Sequence, residues 1–115
     1  MTDYESQHCE ACRADAPLAS PGAIRAFLDT HADWSLLKHD GIDRLVRTYT
    51  FPDFAVALAF TNEIGAIAEA EGHHPALLVE WGRVRVEWWS HKIRGLHEND
   101  FIMAAKCDAV HARGG

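Results

Sequence analysis

The sequence predicts an α+β fold: one domain in which three helices pack on one face of a four-stranded antiparallel sheet. Turn signals at Asp40-Gly41 and at Gly82 mark two hairpins, a long helical pattern separates them, and helical patterns also lie at both ends. The order of elements is therefore α-ββ-α-ββ-α, and hairpins that alternate with helices build a sheet covered on one side. We assign residues 1–19 to a polar N-terminal tail and residues 20–115 to the domain.

The first half of the domain contains one helix and one hairpin. Ser20-Pro21 starts the helix, because a capping hydroxyl followed by proline suits the first turn, and we expect the helix to end near Ala32. Residues 34–38 and 45–51, the latter rich in β-branched and aromatic residues, are the predicted strands. The Asp-Gly pair between them favours a type I′ turn, in which both central residues need positive φ.

The second half repeats this arrangement and adds a last helix. Residues 53–71 place apolar side chains on one helical face, and Gly72 ends that helix. Residues 77–81 and 83–90 form the second hairpin, because apolar and polar residues alternate in the latter with period two. Residues 99–112 predict the last helix.

The composition argues against several classes of protein. Lysine and arginine total 11 against 17 acidic residues, a net charge of −6, whereas a protein that binds duplex DNA normally carries a basic surface. The longest unbroken apolar run, residues 54–60, is too short to cross a bilayer. The N-terminus shows no signal-peptide pattern, and the 3 cysteines are then typical of reduced thiols. We therefore expect a cytoplasmic protein that binds neither nucleic acid nor membrane.

Three of the 8 histidines are predicted to lie close together. His73 and His74 follow the long helix, and Pro75 keeps His74 extended, so the two imidazoles project in different directions. The segments on either side of Gly82 are similar in length, so an antiparallel hairpin returns His91 to the neighbourhood of His73 and His74.

Three interpretations of this histidine cluster remain open at this point. The residues could be ordinary surface histidines, or ligands of a metal with Glu69 or Asp100 as the fourth ligand. They could also form a metal-free acid–base site, with Trp34 and Trp81 as aromatic walls for a flat substrate. The spacing matches no standard zinc signature such as HExxH, which favours the metal-free site over the metal site.

A wider set of positions resembles a known family, pterin-4a-carbinolamine dehydratase. The resemblance rests on Glu69, His73-His74-Pro75, Trp81, Ser90-His91, Gly95-Leu96 and Asp100. The run over residues 51–60 is also similar to the family's approach to its second helix, and the match covers about residues 32–110. The family fold, a four-stranded antiparallel sheet with three helices on one side, agrees with the order of elements above. One departure is His97, which stands where the family usually has Ser or Thr as a helix cap.

The resemblance implies that the protein dehydrates 4a-hydroxytetrahydrobiopterin, or a related tetrahydropterin carbinolamine, to the quinonoid dihydropterin. This reaction recycles the pterin cofactor of aromatic amino acid hydroxylases and needs no cofactor or metal of its own. The implied acid–base residues are His73 and His91, with Glu69 orienting a histidine and favouring its protonated form. The implied substrate-binding residues are His74, Trp81, Trp34 and Asp100, the last of which would orient His91 or cap the last helix.

Other functions and partners stay open at this stage. The resemblance also permits a regulatory binding module or a dimerisation cofactor for a transcription factor, or a paralogue that serves molybdenum-cofactor metabolism. It implies a homodimer or homotetramer, functional coupling to an aromatic amino acid hydroxylase, and a bacterial source. Cys9 and Cys12 are spaced like half a zinc knuckle or a redox pair. No second CxxC follows, so we expect the tail to hold no metal and the core to need little from it.

Overall fold

The computed structural model describes residues 4–9 and 16–114, and it confirms the predicted α+β fold with three helices and a four-stranded antiparallel sheet. A short 3₁₀ helix precedes the domain. The elements are α1 (Pro21–Thr30), β1 (Ser35–His39), β2 (Ile42–Thr50), α2 (Phe54–Glu71), β3 (Ala76–Glu80), β4 (Arg83–Trp88) and α3 (Glu98–Gly114). Within the described ranges, no helix is long and apolar enough to span a bilayer.

The four strands form one sheet in the order β1-β2-β4-β3, with antiparallel neighbours throughout. Leu45 lies opposite Trp88 in this sheet, and both side chains are completely buried on the face that the helices cover. Tyr49 of β2 packs against Phe60 of α2, and Phe101 of α3 is also buried in the core. The sheet therefore has one apolar face beneath the helices, as the period-two alternation in β4 predicts.

The turn and cap residues adopt the conformations that the sequence predicts. Asp40 and Gly41 both adopt positive φ, 53° and 77°, as the type I′ turn requires. The Ser20 hydroxyl accepts a backbone N–H from the first turn of α1 at 3.1 Å. This helix ends at Thr30, slightly before the predicted end near Ala32.

The N-terminal tail contacts the domain, which the sequence did not predict. The ring of Tyr4 packs edge-on against Phe27 and Phe101, with centroid distances of 5.9 and 5.8 Å. The backbone N–H of Cys9 donates to the Glu71 carboxylate at 2.7 Å, at the end of α2. Residues 4–9 thus pack across α1, α2 and α3, while the expectation that the core needs little from the tail stays a prediction. The domain boundary at residue 20 stays a prediction.

The cysteines of the chain lie in different environments. Cys9 is half-buried, and Cys12 lies outside the described residues, so the role of the pair stays a prediction. Cys107 is completely buried on α3, and its Sγ accepts the indole N–H of Trp88 at 3.4 Å. Burial raises the pKa of the Cys107 thiol to about 12, so this thiol is unreactive in the folded protein.

Candidate active site

The turn after α2 places two adjacent histidines in different environments. Gly72 ends the helix in the left-handed conformation, with φ of 66°, and the N–H of His73 donates to the carbonyl of Ala68. The His73 side chain is only 2% exposed, whereas that of His74 is 60% exposed. The prediction that the two imidazoles project in different directions is confirmed, and one of them projects into the protein.

His73 forms a buried pair with Asp100. Its Nε2–H donates to Oδ1 of Asp100 at 2.6 Å, and the carboxylate is 0% exposed. The imidazole also stacks on the indole of Trp88, with planes 12° apart and centroids 5.6 Å apart. Because a carboxylate can only accept, this contact places a proton on Nε2 of His73.

Asp100 connects three parts of the chain. Its other oxygen, Oδ2, accepts from the hydroxyl of Ser90 at 2.9 Å and from the backbone N–H of His97 at 3.0 Å. These bonds join the start of α3, the end of the second hairpin and the His73 turn. Asp100 has no exposed surface with which to touch a substrate, so its predicted substrate-binding role is replaced by a positioning one.

The imidazole of His97 caps α3 in place of a hydroxyl. Its Nδ1 accepts the backbone N–H of Asn99 at 3.0 Å, while Asp100 accepts the N–H of His97. The bond from the His97 N–H to Asp100, the third helical residue, is the return half of a capping box, while the His97 ring bonds the second helical N–H. The helix is therefore capped despite the departure from Ser or Thr, and Asp100 both caps α3 and orients His73 rather than His91.

The exposed part of the site contains Glu69, His74 and His91. Oε1 of Glu69 accepts the Nε2–H of His74 at 2.8 Å, and both side chains are exposed. The Nε2–H of His91 donates to the carbonyl of His74 at 3.2 Å. The hairpin geometry thus brings His91 beside His74, as the sequence predicts.

Neither tryptophan assigned to the pocket lies at this cluster. Trp81 is 73% exposed in the β3–β4 turn, at the far end of a strand of 5 residues that spans about 17 Å. Trp34 is 3% exposed, and its indole N–H donates to Asp108, about 12 Å along α3 from Asp100. The hairpin that returns His91 to His74 carries Trp81 away from them.

A different tryptophan, Trp89, lies at the site, and the sequence analysis gave it no role. Its ring stacks on the imidazole of His91, with centroids 4.4 Å apart and planes 26° apart. The available signal is its position in the chain, just past the end of β4, between the apolar Trp88 and the site residues Ser90-His91.

The described residues offer no ready-made metal site. Within residues 4–9 and 16–114, no three His, Cys, Asp or Glu side chains converge closely enough to hold a metal ion. The groups that do converge are acid–base groups: two exposed imidazoles, an exposed carboxylate, and a buried imidazole–carboxylate pair. Such groups donate and accept protons near neutral pH.

The sequence is similar to a known family over most of its length. A family model described as pterin 4 alpha carbinolamine dehydratase matches residues 17–110. A protein from Syntrophotalea carbinolica is 56% identical over 110 residues, covering 96% of this chain and 98% of that protein. One from Nitrosococcus oceani is 54% identical over 110 residues, covering 96% of this chain and 97% of its own. Both carry provisional names as pterin-4-alpha-carbinolamine dehydratases.

Solved structures show the same fold. A transcriptional coactivator/pterin dehydratase from Brucella melitensis superposes with a TM-score of 0.74 at 29% identity, covering 82% of this chain and 98% of that one. A pterin dehydratase-like protein described as a RuBisCO assembly factor in the alpha-carboxysome gives a TM-score of 0.58 at 22% identity. It covers 70% of this chain and 90% of its own, and that likeness shows the fold alone.

Proposed function

The chain belongs to the pterin 4 alpha carbinolamine dehydratase family, and we propose that its histidine cluster carries out the proton transfers of the dehydration. The enzyme is a hydro-lyase that removes water from a pterin carbinolamine. The observation that supports the proposal is the hydrogen bond that holds the exposed His91 against the backbone of His74, the neighbour in the chain of the buried His73, which pairs with Asp100.

The reaction needs proton transfer more than it needs a nucleophile. The lone pair on N5 of the substrate expels the hydroxyl from C4a, an acid protonates that hydroxyl so that it leaves as water, and a base takes a proton from the ring. The products are the quinonoid dihydropterin and water. Each positioned proton transfer contributes about 10²–10⁴-fold, and imidazole serves as acid and as base near neutral pH.

His91 and His73 are the proposed acid–base pair. His91 is exposed, and its Nε2–H is held by the carbonyl of His74, so Nδ1 exchanges the proton. His73 is the chain neighbour of His74 and its Nε2–H is held by Asp100, so we assign it the second proton transfer. Asp100 accepts from His73 without touching the substrate, and this fixes the tautomer of the imidazole.

His74 and Glu69 are proposed to hold the pterin. Glu69 orients the exposed His74 through a 2.8 Å hydrogen bond. Because both side chains are exposed, that contact contributes little to stability, and its value lies in aiming the ring. In this role His74 binds the substrate and the transition state of the dehydration about equally. Removing its side chain therefore raises KM more than it lowers kcat.

We further propose that the substrate is 4a-hydroxytetrahydrobiopterin or a close relative, released by an aromatic amino acid hydroxylase in the cytoplasm. The resemblance of the site residues to the family supports this substrate. The odd number of cysteines, 3 in the chain, supports the compartment, since they cannot all pair within one molecule.

Association into a homodimer or homotetramer is also proposed. All five residues of the edge strand β1 are exposed, and exposed edges of a sheet readily pair with another chain. On α2, Phe54 and Leu58 are 44% and 40% exposed, which leaves apolar surface for a second contact.

The test follows the decay of the carbinolamine after it is generated by a hydroxylase or by rapid mixing. The protein should accelerate the decay well above the spontaneous rate, and His91→Ala should remove part of the acceleration. His111→Gln is the control, because His111 packs against Tyr49 and Phe51 near the opposite end of α3. Equal rates in His91→Ala and the unmodified protein would contradict the proposal.

A further inference from the structure

The indole of Trp89 lies between a cationic residue of the sheet and the proposed acid–base residue. It stacks on His91 with a centroid distance of 4.4 Å. The guanidinium carbon of Arg44, on β2, lies 3.8 Å from the centroid of the Trp89 ring. A cation at this distance from an aromatic ring is attracted by the ring's quadrupole. Trp89, just past the end of β4, therefore has one partner on β2 and one two residues further along the chain.

The register of the sheet explains why these residues meet. Leu45 lies opposite Trp88 with both side chains facing the helices, so the next residues along, Arg44 and Trp89, face outward together. Arg44 is itself held in place by Glu87, whose Oε1 accepts from Nη1 at 2.9 Å. The side chains of Arg44 and Glu87 are only 15% and 17% exposed, which favours one fixed arrangement of the pair.

Two contacts together define the orientation of His91. The hydrogen bond from Nε2–H to the carbonyl of His74 fixes the position of one ring atom. A single hydrogen bond leaves the imidazole able to turn about that contact. The stack on Trp89 restrains the plane of the ring, with a tilt of 26°, and so determines where Nδ1 points.

We propose that Trp89, held by Arg44, is a positioning residue for His91 in the dehydration. The inference rests on the proposed function, because it assumes that His91 transfers a proton. Proton transfer needs the donor atom within hydrogen-bond reach of the leaving hydroxyl, and a turn of the exposed ring would move Nδ1 out of that position.

The first experiment measures kcat and KM in variants that keep or remove the stack. Trp89→Leu should lower kcat by about tenfold with little change in KM, on the scale of a lost aromatic contact. Trp89→Phe retains a ring and should recover most of the loss. Arg44→Met should also lower kcat, but by less than Trp89→Leu does. Leu78→Ala and Arg83→Met, substitutions on the exposed part of β3 and β4, are the controls and should keep the original kcat.

A spectroscopic measurement separates positioning from a general loss of structure. Protons that lie over an indole ring are shielded, so the His91 ring protons should resonate upfield in the unmodified protein and in Trp89→Phe to a smaller extent. They should move downfield in Trp89→Leu while the signals of the buried His73 stay in place. Unchanged His91 signals in Trp89→Leu would overturn the inference.

A double-mutant cycle separates this inference from the proposed function. Trp89→Leu should have no further effect on kcat in the His91→Ala background, because the residue acts through His91. An equal loss in both backgrounds, or a rise in KM alone, would overturn the positioning role. If His91→Ala itself keeps full activity, the proposed function of His91 fails instead.

Discussion

Replacing Asp100 with asparagine should change the state of His73 without changing the shape of the site. Oδ2 of Asp100 accepts from Ser90 and from the backbone N–H of His97, and Oδ1 accepts from His73. Because the His97 N–H is a fixed donor, the amide oxygen of the substituted side chain must stay on that side. The amide NH₂ then faces Nε2 of His73, which has to give up its proton and carry it on Nδ1 instead.

The structure sets the size of the expected effects. Hydrogen bonds to a charged group contribute about 1.5–3 kcal/mol and neutral ones about 1 kcal/mol. Asp100→Asn weakens three hydrogen bonds, but a neutral amide is easier to bury than a carboxylate. We therefore expect the free energy of unfolding to fall by about 2 kcal/mol. For a domain of this size that lowers Tm by roughly 8 °C. Loss of the correct tautomer should lower kcat by about 10²-fold.

The assay combines thermal unfolding, carbinolamine turnover and nitrogen NMR of the His73 ring. Asp108→Asn is the matched control, because Asp108 lies on the same helix and also accepts several bonds, from Trp34, Arg47 and Tyr49. It should lower Tm and leave kcat unchanged. If Asp100→Asn kept the original kcat and the original His73 tautomer, the argument that Asp100 orients His73 would be refuted.

Three further predictions concern the tail, the buried thiol and metals. The N–H of Cys9 and then His8 hold the pKa of Glu71 below its ordinary value of 4.5, so the stability that this carboxylate adds is present above that pH and lost as the pH falls through the lowered value. The difference in stability between the unmodified protein and Glu71→Gln should shrink on acidification, and a difference independent of pH would contradict this. Cys107 should resist thiol reagents at about pH 8 until the protein unfolds, because burial raises its pKa to about 12; rapid modification of the native protein would contradict its burial. Turnover should survive dialysis against a strong chelator, whereas loss of activity with recovery on added zinc would favour a metal site.

The second hairpin accounts both for the site residues that the sequence predicts correctly and for those that it misplaces. The similar lengths of the segments on either side of Gly82 predicted His91 near His73 and His74, and the hydrogen bond from His91 to the carbonyl of His74 agrees with the second of these. The same geometry sends Trp81 to the opposite end of the hairpin, a consequence that a match of motifs along the chain does not show. Trp34 was misplaced for a related reason, because its partner Asp108 lies on α3 and no local pattern relates the two.

Burial and tertiary partners were harder to predict than elements. Turn and cap residues act locally, so the order of helices and strands follows from the sequence. The burial of His73 depends on how the start of α3 lies against the end of β4, where Asp100 meets Ser90. The docking of Tyr4 depends on one aromatic ring in a segment without periodicity, and periodicity is the signal by which buried faces are recognised.

The most direct measurement of the central claim is carbinolamine decay in the presence of His73→Ala, His91→Ala and the variant with both substitutions. If the two imidazoles share the acid–base work, each single loss should be partial and the double loss should bring the decay close to its spontaneous rate. His74→Ala, measured beside them, should raise KM and largely keep kcat. A correctly folded double variant that still dehydrates the carbinolamine at the original rate would contradict the account.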